Sequence, residues 1–238
     1  MSTLYGIDVS THNGTLNWSA LKASGVVDFA ILRAGYGQNH LDAQFNNNVL
    51  GCLTENIPYG IYWFSYALSV QDAENEAVYA VNRLTAAGGS SSNITYGIWY
   101  DWEYDSDDNA ARQGVQMTPH LRAEFAFAFL NKVTALGYNA GIYTNPDYIN
   151  NKGFRPVVEA GWPLWLAQWG VAQPSRTCSI WQYGITQIPG ITGDFDGDMI
   201  SDDYPPLPPG PGPGPTPVED EEKMPVWMYV RRRFYIRG

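Results

Sequence analysis

Two cysteines, three histidines and 14 lysines and arginines are all that 238 residues supply of the side chains that most often hold metals or nucleic acids. Cys52 and Cys178 fit no metal-binding spacing, and His12, His40 and His120 are scattered without any. Cys52 falls in a helical pattern and Cys178 just ahead of a strand, so both read as buried free thiols. Against 24 acids the basic residues leave a net charge of -10, which a phosphate backbone would repel, so no nucleic-acid partner is expected. No run approaches the roughly 18 apolar residues that span a bilayer. The opening Met1-Ser2-Thr3-Leu4-Tyr5-Gly6-Ile7-Asp8 has no basic region followed by an apolar stretch. The expectation is a protein made in the cytoplasm without a signal peptide, which acts outside only after something else releases it.

What is present is apolar and aromatic. The chain is 45% hydrophobic, with nine Trp and sixteen Tyr, enough for a large core and for rings that stack on ligands. Its length suits one large domain of the α/β barrel kind. Strand patterns at 4–9, 29–34, 59–67, 97–103 and 139–144 are each followed by a helical or partly helical pattern. Ser69 and Thr118-Pro119 mark helix starts, and Gly88-Gly89 and Gly137 mark helix ends. Three further strands, at 164–169, 179–183 and near 195–196, have no convincing helix between them, and an acidic loop follows residue 103. Eight strands of this rhythm predict a parallel sheet closed into a TIM-like barrel over residues 1–204. Residues 205–217 hold eight of the sixteen prolines and read as a Pro/Gly-rich linker. A short basic and aromatic C-terminal segment at 218–238 is too small to form its own core.

The stretch Gly97-Ile98-Trp99-Tyr100-Asp101-Trp102-Glu103 starts as a buried strand and runs into carboxylates. Side chains alternate along a strand, which places Trp99, Asp101 and Glu103 on one side. Catalytic groups of a parallel barrel gather at the C-terminal ends of strands. Those ends supply Asp8, Asp101, Glu103 and Asp196, with Asp8 and Asp196 neighbours if the barrel closes. Tyr62, Phe64, Tyr143, Trp165, Trp169 and Gln182 join them, and Arg33 offers a cation. A ring of acids inside an aromatic bowl suits a neutral sugar polymer.

Gly6-Ile7-Asp8-Val9-Ser10, Gly60-Ile61-Tyr62-Trp63-Phe64, Tyr100-Asp101-Trp102-Glu103, Ile142-Tyr143-Thr144-Asn145, Leu164–Trp169 and Trp181-Gln182-Tyr183 occur in this order. Together they resemble glycoside hydrolase family 25, the lysozymes common among phage endolysins and bacterial wall-lytic enzymes. The resemblance implies a barrel of five β/α units plus three further strands. It implies cleavage of the β-1,4 bond between N-acetylmuramic acid and N-acetylglucosamine in bacterial peptidoglycan, without a cofactor. In two places the chain departs from the family pattern. The last family motif usually reads Val-Asp-Leu-Asn where this chain has Phe195-Asp196-Gly197-Asp198, so Asp196 takes the family aspartate's place, with Asp194 and Asp198 as alternative registers. The third-strand motif often carries His where Trp63 stands.

On this reading Glu103 is the general acid, kept protonated by burial and nearby negative charge. Asp101 is expected to stay ionised and to support positive charge at the sugar, directly or by orienting its acetamido group. Asp8 and Asp196 shape the subsite, and Arg33, Tyr62, Phe64, Tyr143, Trp165, Trp169 and Gln182 contact substrate. A non-catalytic glycan-binding barrel and a glycosidase for another N-acetylhexosamine polymer are the competing readings. For one large chitinase family the Asp-x-x-Asp-x-Asp-x-Glu pattern is absent, since Trp99 stands where an acid belongs. Asp194-x-Asp196-x-Asp198 resembles the start of a calcium loop, but Met199 and Pro205 replace the Gly and Glu it needs, so no metal is expected. The C-terminal segment is a candidate contact for the cell wall, a membrane or another subunit.

Overall fold

Period-two alternation decides which way each strand faces, and here it sorts the apolar residues into two separate layers. The computed structural model describes residues 3–201; the linker at 205–217 and the segment at 218–238 lie outside the described residues. Among the described residues nine strands run in chain order: β1 (Leu4–Val9), β2 (Phe29–Tyr36), β3 (His40–Leu41), β4 (Tyr59–Phe64), β5 (Ile98–Asp101), β6 (Ala140–Thr144), β7 (Leu164–Ala167), β8 (Ile180–Thr186) and β9 (Phe195–Ile200). Their sheet order is β1-β9-β8-β7-β6-β5-β4-β2-β3, and β1 also pairs with β2, so eight strands close a barrel and β3 hangs on its edge.

The helices are α1 (Trp18–Ala23), α2 (Phe45–Glu55), α3 (Val70–Ala86), α4 (Tyr104–Arg112), α5 (Pro119–Ala135) and α6 (Arg155–Glu159). All of them precede β7, which leaves β7, β8 and β9 as the three strands without helical crossovers. Ser69 accepts a bond from the Asp72 amide and Thr118 one from the Leu121 amide, the caps expected of α3 and α5.

Phe29, Ile31, Tyr62, Trp99, Trp165 and Ile180 fill the barrel interior. Ile7, Leu32, Trp63, Tyr100, Phe125 and Phe129 belong to the larger cluster between strands and helices. Each such fully buried Phe contributes roughly 1.5–3 kcal/mol relative to an exposed one. The Trp99 ring fits inside because residue 141 is glycine: a Cβ there would lie 2.3 Å from its indole.

Three details differ from the expectation. The last strand, β9, runs antiparallel to both β1 and β8. A short connection after β8 can only return the chain in the opposite direction, whereas a parallel strand needs a crossover. The acidic loop after Glu103 is the helix α4. Asp105 and Asp107 fall in its first turn, where carboxylates favour the helix dipole, and Arg112 falls in its last. The strand predicted over 97–103 stops at Asp101, so Glu103 is the N-cap of α4 and not a strand residue.

Candidate active site

Asp8 and Asp101 are held by strands, Glu103 by a helix start, and Asp196 by a strand entering from the other direction. Asp8 pairs in register with Asp196 across β1 and β9. Because β9 is antiparallel, its first residues meet the C-terminal ends of the other strands, and Asp196 reaches the same mouth. A cavity of about 310 Å³ opens there, lined by Asp8, Asp101, Glu103, Asp196, Arg33, Tyr62, Phe64, Tyr143, Trp165 and Gln182.

The acids are crowded and dry. Burial raises the Asp101 carboxyl well above the usual range, Glu103 and Asp8 push it further, and Arg33 opposes them. One of its oxygens, Oδ1, is buried and receives no hydrogen bond among the described residues. These surroundings work against the standing Asp101 carboxylate that the sequence leads one to expect. Burial and Asp196 likewise raise Asp8, whose Oδ2 accepts from Gln182 Nε2 at 2.8 Å. Glu103 is raised by burial, the Tyr143 hydroxyl opposes that rise, and Asp196 and Asp105 add to it. Asp196 is raised by burial alone.

Arg33 is the one Lys or Arg among the described residues that line the cavity. It does not serve the acid ring alone, because its Nε bonds Asp42 Oδ2 at 2.8 Å. The sequence reading missed Asp42. The signal was an inward-facing arginine on β2 with an acid just past β3, on a hairpin too short to recognise. His12, at the exposed lip, also lines the cavity and was assigned nothing.

The aromatic residues divide by position. Tyr62 and Phe64 line the wall, and Trp165 forms the floor, only 1% exposed and edge-on to Tyr62, Trp99 and Tyr143. Trp165 is therefore packing as much as platform. Trp169 does not line the cavity; half-exposed beside it, its Nε1 bonds Gln182 Oε1 at 3.1 Å. Asp198, one of the alternative registers, is fully buried beneath the mouth and takes the Trp165 indole N–H at 2.7 Å. Asp194 is exposed and meets Gln187 instead. Among the described residues no group of three or more His, Cys, Asp or Glu could hold a metal ion.

A family model described as "Glycosyl hydrolases family 25" matches residues 7–191. The chain belongs to glycosyl hydrolases family 25. It is a glycoside hydrolase of the lysozyme kind. Lysozyme M1 of Streptomyces globisporus is 29% identical over 82% of this chain and 67% of its own length. The autolytic lysozyme of Clostridium acetobutylicum is 25% identical over 83% of this chain, which spans only 56% of that protein. The bacterial lysozyme from Streptomyces coelicolor superposes with a TM-score of 0.69 at 26% identity, covering 84% of this chain and 93% of that one.

The family 25 match stops at residue 191, before β9, so Asp196 and Asp198 enter the site through the barrel's closure. Trp63, which replaces the frequent family His, points outward: it is fully buried against Tyr79 of α3, and its Nε1 bonds the Gly37 carbonyl at 3.2 Å. That departure leaves the cavity lining unchanged.

Proposed function

We propose that this family 25 chain cleaves the β-1,4 bond between N-acetylmuramic acid and N-acetylglucosamine in peptidoglycan, with Glu103 as the general acid. The observation that carries this reading is the convergence of Asp8, Asp101, Glu103 and Asp196 on one aromatic-walled cavity. Burial and neighbouring carboxylates raise the Glu103 carboxyl, against the Tyr143 hydroxyl that lowers it, and a raised carboxyl suits proton donation to a glycosidic oxygen. As the bond breaks, positive charge grows on the sugar. Burial and the neighbouring acids make the Asp101 anion costly, and a developing cation beside it offsets that cost. The site is thus electrostatically matched to the transition state more than to the neutral substrate. Asp8 and Asp196 hold sugar hydroxyls, and Tyr62, Phe64 and the half-exposed Trp169 offer ring faces.

Glu103→Gln should cut the clearing of bacterial wall suspensions by roughly 10²–10⁴-fold, the usual worth of a general acid, with a melting temperature at neutral pH no lower than that of the wild type. A folded variant with near-normal clearing ends the assignment. A wild-type chain that binds walls without clearing them would make the barrel a binding module. The finer role of a phage or prophage endolysin belongs to the same proposal. It predicts that internal expression lyses bacteria only once their membrane is permeabilised, and lysis without permeabilisation would count against it.

A further inference from the structure

Asp42 is buried just past β3, and three donors converge on its carboxyl group. Its Oδ2 accepts from Arg33 Nε at 2.8 Å and from the Thr11 amide at 2.9 Å, and its Oδ1 accepts from the Gln44 amide at 2.9 Å. Backbone amides and a guanidinium can only donate, so both oxygens must accept. A carboxylate does this; an Asn would turn its own N–H group against at least one of the three. The donors come from separate parts of the barrel, since Thr11 follows β1, Arg33 lies on β2 and Gln44 caps α2. The main chain adds a fourth tie. The pairing of β2 with β4 slips by one residue between Arg33 and Gly35, and inside that slip the Ala34 carbonyl accepts from the Asp42 amide at 3.2 Å. Irregular pairing of this kind re-aims neighbouring side chains, and the Arg33 Cζ lies 5.7 Å over the centre of the Tyr36 ring.

Held at Nε by Asp42 and on one face by Tyr36, the guanidinium keeps its two Nη groups for the cavity that Arg33 lines. An amide carbonyl or ring oxygen of a glycan can only accept, and the Nη edge offers it donors that no proton transfer removes. We propose that Asp42 is a positioning residue: it locks Arg33 so that the Nη edge stands fixed toward the acceptor oxygens of the bound glycan. This rests on the reading of the cavity as the peptidoglycan site. A free arginine loses rotamer entropy each time substrate binds, whereas one already fixed does not, so the clamp shows itself as substrate affinity. The Thr11 contact carries the same clamp to the lip. Thr11 begins the turn Thr11–Asn13, whose His12 and Asn13 also line the cavity.

The test is a double-mutant cycle between Asp42→Asn and Arg33→Ala, read as KM and kcat on soluble peptidoglycan fragments. Asp42→Asn should raise KM about three- to tenfold, the worth of one immobilised side chain, with kcat nearly unchanged. Arg33→Ala should raise KM further, and adding Asp42→Asn to it should change KM no more. Arg33→Lys keeps the charge but loses the planar fork, so its KM should resemble that of Arg33→Ala. If Asp42 were only structural, Asp42→Asn would lower the melting temperature and the active fraction at an unchanged KM, and that result overturns the proposal. Should Asp42→Asn fail to fold, a wild-type KM in Arg33→Lys overturns it instead, because a point charge would then suffice. The same cycle read as the Kd of the fragments in the Glu103→Gln background tests Asp42 without any cutting. A wild-type protein that neither cuts nor binds the fragments sinks the peptidoglycan reading and the proposal with it. One that binds them with a Kd indifferent to Asp42→Asn sinks only the role of Asp42.

Discussion

Asp198 shows how a single oxygen atom carries a prediction. Its Oδ1 is bonded by Trp165, while its Oδ2 is buried without a hydrogen-bond partner among the described residues. Burial and then Asp8 raise Asp198 well above the ordinary range. A raised acid stabilises the fold fully below its unfolded pKa, and that stability is lost as pH rises toward the folded one. Asn, the residue that the family motif usually carries here, keeps the shape and the donor without the charge. Asp198→Asn should therefore raise the melting temperature at pH 7 by a few degrees and leave it nearly unchanged at pH 4. A lower melting temperature at pH 7 would show that the charge is wanted. The acids Asp8, Asp101 and Glu103 were legible because each sits in a short strand-end motif. Asp42 and Asp198 were not, because their roles exist only once distant strands pair.

At the scale of elements, the critical piece is the turn from β5 into α4, since it aims Glu103. The Glu103 amide bonds Ser106 Oγ at 3.1 Å. One turn on, Asp107 ties the helix to the rest: Oδ1 accepts from Trp102 Nε1 at 2.9 Å and Arg122 Nε at 2.7 Å, and Oδ2 from the Tyr148 hydroxyl at 3.0 Å. Three donors on one carboxylate fix the helix against β5, α5 and the segment after β6. Asp107→Ala leaves the largely buried Arg122 unpaired, which costs about 3–5 kcal/mol, and it should lower activity more than stability alone explains by loosening Glu103. Urea unfolding together with wall clearing below the transition checks both, and a loss under 1 kcal/mol would contradict the account. The sequence pattern predicts a loop where this helix lies. Asp-Ser-Asp-Asp is a poor helix interior but a good helix start, and position overrode propensity. The long amphipathic helices α3 and α5, with their capping residues, were legible. The two-residue strand β3 was too short for any periodicity to register.

For the molecule as a whole, the closed barrel concentrates acids that the chain keeps far apart, and the same burial that tunes them taxes the fold. Asp8, Asp101, Glu103, Asp196 and Asp198 are all raised. Glu76, buried behind the site between Ser65 and the Tyr66 amide, is pushed from 4.5 up to about 8. All six shifts have one sign: the folded state holds protons that the unfolded state releases. Stability should be highest in mild acid and decline as pH rises from about 4.5 to 8, with Glu76→Gln flattening part of that decline. Melting temperatures across that range test it, and a curve that rises with pH would contradict the burial argument. The overall barrel was legible from strand rhythm, as was the number of helical crossovers. The reversal of β9 has a signal in the sequence, a connection after β8 too short for a parallel crossover, which the strand rhythm alone does not register.

The most direct test of the account is to digest purified peptidoglycan with the wild-type protein and identify the new chain ends. Cleavage as described here yields reducing N-acetylmuramic acid ends, in step with the loss of wall turbidity and absent with Glu103→Gln. Reducing N-acetylglucosamine ends, or freed peptide termini with intact glycan strands, would mean that the cavity acts on a different bond.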